Sequence, residues 1–123
     1  IAVVLGTPQA EQFIPQLEQA DLVMAPDIFI AEVCNALWKY RRADMLSQEH
    51  GERAVEQVTS LPDQLIPSKS LYQEAFTLAT RHQHPVYDTL YLTLARRNNA
   101  TLLTLDRRLI QLAKELEIKT NNP

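Results

Sequence analysis

Over residues 86–95 the sequence VYDTLYLTLA carries, apart from two tyrosine hydroxyls, only Asp88, Thr89 and Thr93 as polar side chains. Such a segment has no face to offer water, so it is predicted to be a helix buried on nearly all sides. That placement sets one carboxylate, Asp88, among groups that solvate it poorly. After Asn98 and Asn99 the run ATLLTL, residues 100–105, reads as a short buried strand, and Asp106 stands where it gives way to the helical pattern RRLIQLAKEL. In an open α/β sheet, ligands bind beyond the carboxyl ends of strands. Asp106 is expected at such an end.

The rest of the chain must cover these two elements, and its composition says how. With 123 residues, 46% of them hydrophobic, residues 1–123 suffice for one domain with a single core. Two glycines, seven prolines and 22% charged residues argue against a disordered, collagen-like or all-β repeat protein and favour a helix-rich fold. No apolar run approaches the roughly 18 residues of a membrane span and no secretory signal pattern is present, so a cytoplasmic location without a membrane partner is expected. Cys34 is alone, cannot close an internal disulfide, and in IAEVCNAL is predicted to be a packed helical thiol. The formal net charge of −3 excludes the strongly basic kind of nucleic-acid binder. Cations do cluster locally, at Lys39 with Arg41 and Arg42, at Arg96 with Arg97, and at Arg107 with Arg108. In the first two clusters they also complement the end of a helix dipole.

Taken in order, IAVVLG reads as the inside of an element already under way. Thr7 and Pro8 fit a helix start as N-cap and first-turn proline, continued by AEQFIPQLEQA with a break at Pro15. Residues 22–25 form a short apolar strand. Over 27–42 the positions Phe29, Val33, Ala36, Leu37 and Tyr40 make a helical stripe, and Glu32 borders it, either as a boundary glutamate reaching to water or as a group aimed at a site. Trp38, within the same helix, reads by residue type as core, or with Tyr40 as an aromatic surface for a partner. Ser47 caps a helix over 48–60. Residues 64–67 suit an edge strand ended by Pro67. Ser70 and Gln73 have the spacing of a capping box before EAFTLATRH. His82 and His84 flank Gln83 at the following junction, and without cysteines or a third histidine they read as loop histidines instead of a zinc site. A final strand is expected over 118–120. Short apolar strands alternating with helices predict an α/β fold: one helix-rich domain, its mainly parallel sheet of four to five short strands covered by helices on both faces.

Asp88 and Asp106 each have an ordinary explanation as helix N-caps, a role worth about 1 kcal/mol. Brought together with Glu32 they would mean something else. Carboxylates about 4 Å apart repel by roughly 4 kcal/mol per pair at an effective dielectric near 20, which a shared proton or a cation relieves. Hard oxygen donors select magnesium or manganese. Such a centre hydrolyses phosphodiesters by acidifying and aligning a water and by neutralising charge on the phosphoryl oxygens. Other chemistries lack their parts, since the chain has no GxSxG, HExxH, CxxC or glycine-rich phosphate loop.

The segments PDIFIAEVCNALWKY, VYDTLYLTLA and TLLTLDRRL, together with the opening LGTP, resemble the PIN-domain family, in particular the VapC-type toxins of toxin–antitoxin pairs. The likeness spans nearly the whole chain, and each motif frames one acidic residue. It implies a PIN-like fold and a Mg2+- or Mn2+-dependent ribonuclease site with Glu32, Asp88 and Asp106 as catalytic metal ligands, supported by Thr104. It further implies an RNA substrate, an antitoxin partner that lays a peptide in the groove, and a homodimer. Members of the family begin with a strand ending in aspartate, followed by a small hydroxyl residue. Against that pattern the present sequence starts just after the strand, so three of four carboxylates are expected and the sheet position of the first strand is expected to be unpaired. Two other readings use the same residues: a degenerate PIN-like domain acting only in protein binding or dimerisation, and a receiver-like phosphoacceptor domain. The latter lacks the paired acids expected early in the chain.

Overall fold

The structure, a computed structural model, describes residues 1–121. Its centre is a four-stranded sheet of β1 (Ala2–Leu5), β2 (Leu22–Pro26), β3 (Gln64–Ile66) and β4 (Thr101–Leu103), ordered β3-β2-β1-β4. Every pairing is parallel: Val3 lies opposite Val23 on one side and Thr101 on the other. Interior parallel strands are buried on both faces, and Val4, Leu5, Ala25 and Leu102 are fully inaccessible.

The helices are α1 (Ile14–Leu17), α2 (Ile28–Arg42), α3 (Gln48–Thr59), α4 (Tyr72–His82), α5 (Val86–Arg97) and α6 (Arg107–Glu115). The chain steps from β1 to β2 to β3 in one direction and then crosses back over β2 and β1 to β4. With right-handed crossovers, the helices of the two directions fall on opposite faces. In agreement, α2 packs on β2, while α5 lies across β1, β2 and β4. The expected α/β architecture, a parallel sheet flanked by helices, is therefore what the chain adopts. The reversal falls between β1 and β4, and that switch point is where an open sheet leaves a crevice for ligands.

The interior helix expected over 86–95 is α5, where Thr89 to Ala95 are all buried. Thr89 satisfies its hydroxyl by donating to the Ala75 carbonyl of α4 at 2.7 Å. Ser47 caps α3, accepting from the His50 amide at 3.1 Å. The final strand shrinks to a single parallel bridge between Leu102 and Thr120.

Several local expectations give way. The opening residues are β1, an inner strand paired with β2 on one edge and β4 on the other, so among the described residues no gap lies between strands. Thr7 caps nothing: Gln9, in the left-handed region at φ 64, precedes a 3-10 turn over Ala10–Phe13, and the one-turn α1 follows with Pro15 in its first turn, where the missing N–H does no harm. The Ser70 and Gln73 box does not form, because Ser70 lies in a 3-10 turn and donates to the Pro67 carbonyl at 2.8 Å. Cys34 is exposed, not packed, and Trp38 is 52% exposed, with the Arg42 guanidinium 4.6 Å from its ring centre. Of the stripe on α2, only Phe29 and Val33 are buried, because the sheet lies under the helix's first turns alone.

Candidate active site

β4 leads directly into the site. Thr104 is buried just past the strand, its amide donating to Asn121 Oδ1 at 2.8 Å, and its hydroxyl oxygen accepts from the Asp106 amide at 3.2 Å. This fixes the extended backbone of Asp106, the N-cap of α6. Asp106 Oδ1 accepts from the Arg108 and Leu109 amides at 2.9 and 3.2 Å. Capping is thus a real role of Asp106, and it engages one carboxylate oxygen only.

Asp88 differs. The N-cap of α5 is Pro85, Asp88 sits within the first turn, and its side chain makes no capping bond. A first-turn carboxylate gains from the helix dipole, yet the surroundings here are unfavourable. Burial, and then the charge of Asp106, push the Asp88 carboxyl above the ordinary aspartate range, against smaller opposing effects of His84 and Arg108. His84 Nδ1 lies 3.6 Å from Asp88 Oδ2, too far for a hydrogen bond, and is buried with no hydrogen-bond partner.

Glu32, in the second turn of α2, is half-buried and turned inward. The Tyr91 hydroxyl donates to its Oε1 at 2.6 Å and the Thr7 hydroxyl to the same oxygen at 3.0 Å. Tyr91 follows Asp88 by three residues, so both project from one face of α5. Burial, then the Glu32 carboxylate, push the Tyr91 phenol far above its ordinary value, with a smaller push from Asp88. A phenol held so firmly protonated is a fixed donor.

Asp88 and Asp106 are therefore within electrostatic reach of each other, and Tyr91, one helical turn beyond Asp88, holds Glu32. Among the described residues, no three His, Cys, Asp or Glu side chains are gathered closely enough to hold an ion by themselves. The physical reason lies in the commitments above: Glu32 is drawn towards two hydroxyls and Asp106 towards the end of α6. The donor set nonetheless suits a hard dication. Magnesium commonly takes one or two carboxylates, several waters and a substrate phosphate, and a cation beside Asp88 and Asp106 would relieve the repulsion that Asp88 feels. Thr7, Tyr91 and His84 were not expected at the site. Tyr91 carried a signal, a phenol at helical spacing from Asp88, but its apolar frame disguised it as core.

Three comparisons bear on this arrangement. A family model for the PIN domain matches residues 1–115. The chain is 30% identical to Ribonuclease VapC3 of Pyrobaculum aerophilum over 112 residues, 89% of this chain and 86% of that one. It is 32% identical to Ribonuclease VapC12 of Mycobacterium tuberculosis over 111 residues, 90% of this chain and 84% of that one. In fold it is similar to the crystal structure of PAE2754 from Pyrobaculum aerophilum, with a TM-score of 0.73, 23% identity, and coverage of 89% of this chain and 84% of that one.

Proposed function

The chain belongs to the PIN domain family, and from that premise we propose that it is a metal-dependent endoribonuclease, the toxin of a toxin–antitoxin pair, built as a single PIN-like domain over residues 1–123. The observation that carries the reading is Asp106 just past the carboxyl end of β4, beside the switch point of the sheet, with the carboxyl pKa of Asp88 in the first turn of α5 pushed up by burial and by the charge of Asp106. The ribonuclease names of its relatives support it.

Asp88 and Asp106 would hold Mg2+ or Mn2+, with Glu32 as a further ligand or as the group that orients water, and Thr104 holds Asp106 in place through its amide. A bound dication supplies an acidified water and neutralises charge that develops on the phosphoryl oxygens. Tyr91 and Thr7 both donate to Glu32 Oε1, so Oε2 would be the oxygen that orients a water. Asp88, poorly solvated, binds either a proton or a cation, so its affinity for a cation rises as its proton leaves.

β1 runs into Gly6 and Thr7 and brings the site a hydroxyl, not a carboxylate, which favours the second reading, a PIN-like domain that only binds partners. An apolar groove of about 210 Å³ between the Thr7 loop, α2 and α3, lined by Ala10, Val33, Leu37, Ala54 and Val58, supports an antitoxin peptide as one partner. A homodimer and a cytoplasmic location complete the proposal. Among the described residues no helix is long and apolar enough to cross a membrane.

Incubation with RNA in Mg2+ or Mn2+ tests the enzyme reading, with thermal melting in the same ions as a second measurement. Cleavage abolished by chelation and by Asp88→Asn, together with a rise in Tm on Mn2+ addition, is expected. Cleavage that survives both treatments refutes the metal mechanism, and the absence of both cleavage and ion stabilisation leaves the binding role.

A further inference from the structure

The two Arg-Arg pairs, alike in sequence, are used differently in the structure. Arg96 is spent on Glu74 at 3.0 Å, and Arg97 on Glu74 and the Ser70 carbonyl, so this pair ties α5 to α4. Among the described residues, the guanidinium groups of Arg107 and Arg108 make no ion pair and no hydrogen bond. They instead line an open cleft of about 360 Å³ next to Asp106, whose opposite wall is His82 and His84. Gln83, in the left-handed region at φ 56, ends α4 so that the histidines on either side of it reach the same cleft. His84, with its side chain 9% exposed and Nδ1 lacking a hydrogen-bond partner, is built into that wall.

We propose that this cleft, between Arg107 and Arg108 on one side and His82 and His84 on the other, binds an RNA phosphate adjacent to the one that is cleaved, and so sets the register and direction of the strand across Asp88 and Asp106. The inference rests on the endoribonuclease reading and adds to it a second anchoring point. The Arg108 and Leu109 amides of α6 are already taken by Asp106 Oδ1, which leaves the arginine side chains as the main donors for the anion. Arginine suits the task, since its planar fork matches two phosphate oxygens at once. Glu115 borders the cleft about two helical turns from Arg108, which confines an anion to the arginine end. His84 in the cleft wall lies 3.6 Å from Asp88 Oδ2, so a phosphate held in the cleft lies near the carboxylates and not at a remote patch.

The test is equilibrium binding of a labelled single-stranded RNA to the whole chain in chelator, so that no cleavage intervenes, as a function of salt. Arg107→Gln and Arg108→Gln are expected to weaken binding about tenfold and to lower the slope of log K against log salt by about 0.7 for each phosphate no longer neutralised. Arg53→Gln on α3 makes the same charge change far along the chain and is expected to do neither. A set of oligonucleotides, each with one phosphate replaced by a neutral methylphosphonate, then locates the anchoring phosphate. One replacement next to the cleaved bond should weaken the wild type and have no further effect on Arg107→Gln. The proposal is overturned if Arg53→Gln weakens binding as much, or if every replacement adds to the loss from Arg107→Gln. Silent cleft variants in an enzyme that still cleaves RNA refute the cleft alone. Lost cleavage activity with the binding pattern intact refutes the catalytic reading and leaves the cleft as a phosphate site.

Discussion

Removing the Tyr91 hydroxyl tests the geometry of the site through stability alone. In Tyr91→Phe the ring stays in a core position that is 3% exposed, and only the 2.6 Å bond to Glu32 Oε1 is lost. That length is typical of a hydroxyl donating to a charged oxygen, and bonds to charged groups contribute about 1.5–3 kcal/mol. The lower end applies, because Glu32 is only half-buried and keeps the Thr7 bond at 3.0 Å. With an unfolding entropy of about 2.1 cal/mol/K per residue, 123 residues give roughly 260 cal/mol/K, so a loss of about 1.5 kcal/mol lowers Tm by about 6 °C. Thr7→Val removes the second donor to the same oxygen and should cost less by itself. The double variant should lose more than the sum of the two, since Glu32 Oε1 then has neither hydroxyl. Calorimetry on the four proteins measures this cycle. A Tyr91→Phe protein that melts within 1 °C of the wild type, or strictly additive losses, refutes the claim that the two hydroxyls jointly hold Glu32.

Asp106 combines a structural and a chemical role, and two substitutions separate them: Asp106→Asn keeps a capping oxygen and should melt like the wild type while losing RNA cleavage, whereas Asp106→Ala should also lose about 1 kcal/mol of stability. Asp88 has its carboxyl pKa raised above 3.8 in the folded state, so the fold binds its proton more tightly than the unfolded chain does, and stability falls as pH rises through the window above 3.8. Asp88→Asn removes that slope; its Tm at pH 7 should exceed that of the wild type, and saturating Mn2+ should stabilise only the wild type and narrow the gap, by about 2.7 kcal/mol at a hundredfold excess over Kd. An Asp88→Asn protein less stable than the wild type at neutral pH contradicts this account. Gly6→Ala places a Cβ 2.8 Å from the Leu103 carbonyl oxygen and 3.4 Å from Thr104 Cβ, across the seam where the Gly6 amide donates to that same carbonyl. Opening the seam costs about 1–3 kcal/mol, a drop of roughly 4–12 °C in Tm at the same unfolding entropy.

What the sequence made legible were the elements whose local pattern and tertiary setting agree. The helix over 86–95 is apolar on nearly every side because it lies between three strands and α4, and Ser47 caps α3 as its type predicts. Failures came where a distant partner overruled a local rule. Thr7 and Pro8 look like a helix start, but the Thr7 hydroxyl is used 25 residues away on Glu32. A run of four apolar residues such as AVVL fits a buried helix or a buried strand equally well, and what decides for β1 is the slot between β2 and β4. On α2 the stripe continues past the sheet, so the pattern over-counted the core at Ala36, Leu37 and Tyr40, and residue type alone put Trp38 and Cys34 inside it.

The placement of the three carboxylates was less legible still, for a topological reason. Glu32 and Asp88 lie on opposite sides of the reversal in strand order, and no local pattern announces where a sheet reverses. Once they are placed, the two aspartates cease to be equivalent. Asp106 would be a sound choice at its position for capping alone. Asp88 caps nothing, is half-buried, and feels a second negative charge, so the fold would be more stable with a neutral side chain there. A carboxylate in such a setting fits the proposal that it binds a cation, and the basic side chain beside Asp88, His84, stands 3.6 Å away, beyond hydrogen-bond distance. The Asp88→Asn comparison in Mn2+ therefore decides more than any cleavage assay alone: it asks whether the energy stored in that repulsion is returned when a dication arrives.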